Sequence, residues 1–500
     1  MGRGDAIANS GITGVQQSRR DFLKGGLGAA ALLASVQAAQ ASSAGRDDVQ
    51  HLLARISYGV RSQDLARAYS IGLEAYLDEQ LTRSRPESEA LADYALLELD
   101  RETLYGLEDG KGRCYRALVT GAVARMVHSE HQLHARMTEF WSDHFNVPLN
   151  YDITPDIVQF QRELRQHALG TFRDLLFASA RAPAMLYYLD NASSTAEHPN
   201  ENYARELLEL HTLGVDGPYT EEDVKAAARA FTGWTIHKRT DSGFHFNSQH
   251  HDQGAKEILG RSFPAERGVE DGLLVLNILA DHAATAEFIC FKLCRRFVSD
   301  VPPQSLVDRL VDTWLETDGE IKPVLRNLFL SDEFRASKGQ KLRRPLEFYA
   351  ASLRVTGTEI LKFWPQEEML QDLAQLPHSW KPPDGYPDIA NAWFTTNGLL
   401  ARWNVAMRLT HAALSDKESS WDMLSRLLER APEAATVGEL VAKVSEQVFG
   451  FALSESELRP FIHYTADGAG TNEPVTPFLR ARKLASLYGL MLASPQFQWT

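Results

Sequence analysis

Glu206 and His211 both fall in PNENYARELLELHTL, residues 199–213, a stretch whose leucines recur at three- and four-residue steps. On a helical wheel at ~100° per residue, Leu213, Leu210, Tyr203, Leu207, Ala204 and Leu208 make one apolar arc. Glu206 falls inside that arc, between Leu213 and Leu210, where a lone carboxylate is costly unless it is paired, coordinated or protonated. His211 lies about 140° around the same wheel, so the two do not belong to one ligand set. Glu201, Arg205 and Glu209 fill the polar strip as ordinary i,i+4 pairs. A second helix repeats the anomaly. Over residues 126–146 the wheel gives an apolar stripe of Met126, Leu133, Met137, Phe140 and Trp141 with His144 in its middle, while Glu139 and Asp143 fall on the polar side. Glu130 and His134 make a local pair at the edge of the stripe.

Three chemistries compete for these groups. The first is a buried hydrogen-bonded network that only fixes packing, with Glu206 meeting an arginine such as Arg162 or Arg165. The second is a metal site in which Glu206 and His144 converge with His251 and Asp252 of the His250-His251-Asp252 loop. Nitrogen and oxygen donors of that kind suit a divalent metal such as zinc, iron or manganese, although the sequence names no cofactor. The third is metal-free acid–base catalysis by Glu206, His144 and His211, through a carboxyl whose pKa is raised by burial. The H-E-x-x-H and Glu-x-x-His metal signatures are absent, as are G-x-S-x-G, a P-loop and a Rossmann glycine pattern after a strand.

The elements that must position these residues read as mostly α, a single large multi-helix domain. Apolar residues recur at helical steps from about Asp47 onward, one long pattern runs from about Arg113 to Asn146, and a further helix is expected over 389–414. Residues 232–246 alternate around Asp241-Ser242-Gly243 and predict a small β-hairpin insert near 232–250. Thr220 with Asp223 is a capping box opening the helix after DGPY. LPHSWKPPDGYPDIANAW, residues 376–393, reads as a stiff proline–aromatic loop, either lining a cleft or serving as a pinned connector.

With a formal net charge of −14, the chain is a poor partner for nucleic acid or an anionic membrane surface. Three cysteines cannot form a disulfide framework, and Cys290 and Cys294, i,i+4 on a helix, read as small apolar residues. At the N-terminus Ser18-Arg19-Arg20-Asp21-Phe22-Leu23-Lys24 is similar to the twin-arginine export consensus, carried by Arg19, Arg20 and Phe22. A weakly apolar run to Ala39 and the small-residue site Ala39-Gln40-Ala41 complete a leader of residues 1–41. The run is too short and glycine-rich for a stable membrane span, and none is expected in the mature chain. The implied partner during export is the Tat translocase.

FWSDHFNV, PNENYARELLELHTLGVDGPYTEEDVKAAARAFTGW, HHDQGAKEILG and the terminal LASPQFQ together resemble the bacterial family called domain of unknown function 1800, over about His51 to Gln498. The resemblance implies an exported, mostly helical protein, often encoded beside a second exported family, and no settled activity. Its motif positions here are His144, Asn146, Asn200, Glu201, Asn202, Arg205, Glu206, Glu209, His211, Asp216, Gly217, Tyr219, His251, Asp252 and Lys256. Asp143 stands where an asparagine is common, and Pro218 where a glycine is. The reading is a periplasmic or secreted protein with one helical domain, residues 42–500, acting as a metal- or cofactor-assisted enzyme of the envelope. The alternative is a non-catalytic binding or assembly partner of a co-exported protein, with Glu206 and His144 in a structural polar network.

Overall fold

The computed structural model describes residues 48–500 apart from 238–242, 358–362, 412 and 417–418, and no side chain of 412–424. The leader and the turn residues Asp241 and Ser242 therefore lie outside the described residues. The fold is mostly α, as the periodicity requires, with three two-stranded antiparallel hairpins among the described residues. Buried apolar side chains form a cluster that runs from Leu52 to Phe497.

Helix α1 (Asp48–Ile56) is fastened by Arg55, which is almost fully buried. Its guanidinium donates to the carbonyl oxygens of Phe297 (2.5 Å), Val298 (3.0 Å), Ser337 (2.5 Å) and Thr500 (3.0 Å). A buried arginine thus satisfies four carbonyls drawn from three distant parts of the chain.

The long pattern over 113–146 is two helices, α2 (Gly110–His128) and α3 (Gln132–His144). What breaks it is remote in sequence: the Glu87 carboxylate accepts from Ser129 Oγ and the Glu130 amide, both at 2.9 Å. The chain turns there because donors that a helix end leaves orphaned find an acceptor outside the helix. The expected Glu130–His134 pair does not form, since Glu130 turns to Arg61 and Arg85 and His134 Nε2 lies 2.7 Å from the Arg165 carbonyl. Helix α4 (Thr154–His167) packs against both α2 and α3.

Asn200 caps α5 (Glu201–Glu206), which runs directly into a π-helical segment, Leu207–Thr212. The Leu213 amide bonds to the Leu208 carbonyl, five residues back, at 2.9 Å. The extra residue per turn ends the 100° periodicity at Glu206. That is why Glu206 is only half-buried whereas His211 is 1% exposed. Arg205 pairs with Glu201 and Glu209 as expected, and also with Glu221 at 2.7 Å.

The Thr220–Asp223 capping box opens α6 (Glu221–Ala230). The expected hairpin is β1 (Trp234–Ile236) with β2 (Phe244–Phe246), in the register Trp234↔Phe246 and Ile236↔Phe244. A second hairpin, β3 (Lys256–Ile258) with β4 (Arg261–Phe263), follows it, and a third joins Ala413–Asp416 to Ser419–Asp422. Helices α7 (Glu270–Ala280) and α8 (Ala283–Phe297) come next, and the π segment packs on both. Cys290 and Cys294 of α8 are free and buried. Helix α9 (Pro345–Thr356) packs on α2, and α10 (Thr396–His411) pairs with α11 (Pro477–Ala493). Between α9 and α10 runs the 376–393 loop. No single helix among the described residues is long and apolar enough to cross a membrane.

Candidate functional site

The polar side of α3 does not face water. Glu139 accepts from Arg296 and Tyr58, at 2.7 and 2.6 Å, and from Arg344. Glu347 sits 3.1–3.3 Å from Arg136, Arg296 and Arg344, and Asp388 lies 3.5 Å from Arg296 and from Lys341. This interior network explains two residues that a helical wheel would leave in solvent, Glu139 and Asp143: their partners are Arg296 of α8, Arg344 at the start of α9 and Tyr58.

Asp143 is the poorly compensated member. Arg344 Nη1 is 2.6 Å from its Oδ2, but that guanidinium is shared with Glu139 and Glu347. Burial, helped by the Glu139 charge, pushes the Asp143 carboxyl up to about 6 against the pull of Arg344. Glu347 has three arginines around it and is held at about 2 despite its burial.

The loop closes over the end of α3. Asn146 Nδ2 donates to the carbonyls of Trp380 (3.0 Å) and Pro382 (2.7 Å), and the Tyr188 hydroxyl donates to that of Lys381 (2.7 Å). Gly385 passes so close that a β-carbon there would lie 2.0 Å from the Asp143 carbonyl oxygen, at a φ of +75° that also favours glycine. The loop is pinned internally by Trp380 to Asp384, Tyr386 to the Leu376 carbonyl and Trp393 to the Pro387 carbonyl. It lines a cleft as well as connecting, so both of its expected roles hold.

That cleft has a cavity volume of about 80 Å³ and a mostly apolar wall, including Leu118, Met126, Val158 and Leu346. One side carries Ser142, Asp143, His378 and Tyr386, and Arg125, Arg162 and Arg165 are also in the lining. At roughly 10–15 Å³ per water, several waters or one small organic group fit inside. Ser142 Oγ is 3.1 Å from His378 Nδ1. Burial, opposed by the Glu139 charge, holds His378 down to about 4, so the ring is neutral and its Nδ1 can accept the serine proton. Arg165 and Arg125 reach Glu98, and Arg162 reaches the Glu98 and Leu99 carbonyls.

His144 and His211 are brought together, with ring centroids 6.2 Å apart. His144 Nε2 lies 3.1 Å from the His211 carbonyl oxygen and Nδ1 lies 2.9 Å from Lys292 Nζ. Burial, reinforced by the Lys292 charge, keeps His144 well below the usual histidine range and His211 at about 3. Glu206 stays outside this contact. Burial and the Glu209 charge raise its carboxyl, with Arg205 opposing and Asp384 adding. Arg162 and Arg165 are engaged elsewhere, so the proposed Glu206–arginine pair with either is absent.

His251 and Asp252 belong to a different cluster. His251 Nδ1 meets the Thr232 carbonyl at 2.8 Å, and Nε2 lies 3.4 Å from Asp271 Oδ2 without hydrogen-bond geometry. Asp252 binds Arg229 at 2.7 Å. Lys256 Nζ bonds to Asp271 (2.7 Å) and to the carbonyls of Asp252 (2.5 Å) and Gly254 (2.9 Å). Arg267 adds a contact to Asp271 at 3.0 Å. The structure does not bring Glu206, His144, His251 and Asp252 together: His144 meets Lys292 and the His211 carbonyl, His251 the Thr232 carbonyl and Asp252 Arg229, and among the described residues no group of three or more His, Cys, Asp or Glu side chains is placed to hold a metal. The physical reason is that the hairpin loop is consumed by Lys256 and Arg229, which occupy the oxygens a cation would need. Sequence reasoning missed Ser142, Asp143, His378 and Lys292; the loop's prolines and aromatics were the signal that could have led to His378.

With this geometry in hand, the comparisons decide the family. The family described as Protein of unknown function (DUF1800) matches residues 51–499. The chain belongs to the DUF1800 family. Residues 16–35 match the twin-arginine translocation signal sequence, which marks this DUF1800 chain for export across the membrane. A search of curated proteins and a search of solved structures each found no match.

Proposed function

We propose that this exported protein, a leader of residues 1–41 and one helical domain of 42–500, is an envelope enzyme using general acid–base chemistry at the end of α3. One observation carries the reading: Ser142, Asp143 and His378, three groups able to exchange protons, line the same small and mostly apolar cavity. A carboxyl near 6 is present in both protonation states close to neutral pH, so Asp143 can give and take the proton. Ser142 Oγ, 3.1 Å from His378 Nδ1, is positioned either to attack or to hold a substrate oxygen. The three arginines favour an anionic group on the substrate, and the cavity's size admits only its reacting end. His144, His211 and Glu206 act from beside this site. The donor geometry does not fit a metal at Glu206, His144, His251 and Asp252, and no step is routed through one.

The test is turnover by the processed protein of a panel of esters, amides and acetals bearing a small apolar group and a distal anion. Asp143→Asn should lower turnover by ~10²–10⁴-fold with an unchanged melting temperature. Equal rates in the two proteins would remove Asp143 from the chemistry. The destination, periplasm or beyond, rests on Arg19 and Arg20: changing both to lysine should leave the precursor in the cytoplasm, read by fractionation.

A second reading, a binding or assembly partner of a co-exported protein, draws support from the large side chains of Trp364 and Phe478, 72% and 74% exposed. It gains if no substrate in the panel turns over and Trp364→Ala abolishes co-purification with an envelope protein.

A further inference from the structure

Lys292 is not part of the cleft lining and has no role in the chemistry proposed there. It stands one turn after Phe288 on α8, with its nitrogen 5.2 Å from the centre of that ring. Both residues are only partly buried. Most lysines of this protein near carboxylates pair with them, as Lys256, Lys341 and Lys483 do. Lys292 does not. Among the described residues its polar partner is His144 Nδ1 at 2.9 Å.

The other side of His144 settles how that contact works. Nε2 faces the His211 carbonyl oxygen, which can only accept, so Nε2 carries the ring proton and Nδ1 presents a lone pair to Lys292. A neutral imidazole aimed at an unpaired amine is an arrangement for moving the amine's protons. Beside it, the π segment holds His211 with Nε2 buried and without a partner among the described residues. Such segments often mark functional positions.

We propose that Lys292 is a reactive amine that condenses with a neutral aldehyde or ketone to form a Schiff base, His144 Nδ1 carrying the protons. The nitrogen lone pair forms the C–N bond while the carbonyl π pair moves onto oxygen. The two N–H protons of the neutral amine pass in turn through Nδ1 to that oxygen, which leaves as water as the C=N bond forms. No oxidant or reductant is consumed. Burial pulls the Lys292 ammonium down to about 8, with the charges of Asp143 and Asp388 opposing, Arg295 adding to the fall and Asp384 opposing it, so free amine is present near neutral pH. Those three aspartates also set the class of carbonyl compound, because an anionic one would be repelled.

The experiment uses the processed full chain, propionaldehyde and cyanoborohydride, which reduces the imine in place, followed by digestion and mass mapping of every lysine. Lys292 should be alkylated at least tenfold faster than Lys225, whose amine is tied to Glu222 on the surface. Propionaldehyde should outpace the anionic glyoxylate at Lys292 relative to Lys225. His144→Phe, which keeps a ring and removes both nitrogens, should slow Lys292 at least tenfold and leave Lys225 unchanged. Lys292 reacting no faster than Lys225 overturns the proposal, and this comparison needs no variant, so it survives a failure of His144→Phe to fold. Equal preference for the two aldehydes overturns the assignment to neutral carbonyls. The result is separable from the cleft reading, since labelling of Lys292 does not depend on turnover by Asp143.

Discussion

Two buried charge clusters in this molecule contain nearly the same residue types and end in opposite conditions. Around Asp271, the Lys256 ammonium has three oxygen partners and the aspartate has Lys256 and Arg267. That cluster closes the β3–β4 hairpin onto α7 and is chemically spent. At the end of α3, one arginine serves three carboxylates, a lysine has a histidine instead of a carboxylate, and a histidine nitrogen is left over. Burial of polar groups is common to both, and so is a histidine nitrogen without a hydrogen bond, His251 Nε2 in one and His211 Nε2 in the other; one guanidinium shared by three carboxylates, beside a cavity, belongs to one. Burial moves the Asp143 carboxyl up and the Lys292 ammonium down there, because the charges around them offset it only in part.

The comparison breaks most readily in acid. His134, His144, His211 and His378 all stand on or against α3, and burial, with nearby positive charge at the first three, depresses all of them: His134 and His378 to about 4, His211 to about 3. A depressed histidine stabilises fully above its unfolded value of ~6.5, and that stability is lost as pH falls toward the folded value. Unfolding should therefore take up as many as four protons between pH 6.5 and 4, each adding ~1.4 kcal/mol per pH unit to the slope. Urea midpoints across that range check this, and His378→Asn should remove one proton's share. Asp143 runs the other way: its folded value lies above the unfolded one, so its contribution is full below pH ~4 and lost as pH rises through about 6.

Next in size is Asp271→Asn, which leaves the Lys256 ammonium buried without its counter-charge and should cost ~3–5 kcal/mol by urea unfolding. A loss below about 1 kcal/mol would mean that the two clusters do not differ as described. Asp143→Asn should alter stability at pH 7 by less than about 1 kcal/mol, because Arg344 keeps Glu139 and Glu347. Smallest is Glu206→Gln, at a half-buried position: a change within about 0.5 kcal/mol, measured beside turnover and partner binding. Activity lost with the fold intact would bring Glu206 into the chemistry.

The helical class and the Trp234–Phe246 hairpin were legible because each rests on a local period. The second hairpin was not. Its turn puts Leu259, not asparagine or aspartate, at positive φ before Gly260. The break after His128 could not be read either, since its acceptor, Glu87, lies some forty residues upstream. At the site, the buried His144 and His211 were legible from their place among apolar residues. It misplaced Glu206, because a wheel drawn at 100° fails where the helix widens into the π segment. Asp143 was assigned to solvent because its real surroundings, Arg344 and the 376–393 loop, are more than two hundred residues away.

Arg55 gives the export route a kinetic meaning. It lies close behind the leader, yet its partners include main-chain oxygens at 297, 298, 337 and 500, so the hydrogen bonds of α1 close over most of the chain. Contacts that distant in sequence close slowly, since loop entropy must be lost before they form. A chain threaded through a membrane while unfolded would have to complete this closure on the far side, with its apolar helices exposed meanwhile. A translocation route that accepts finished proteins lets α1 and residue 500 meet before departure.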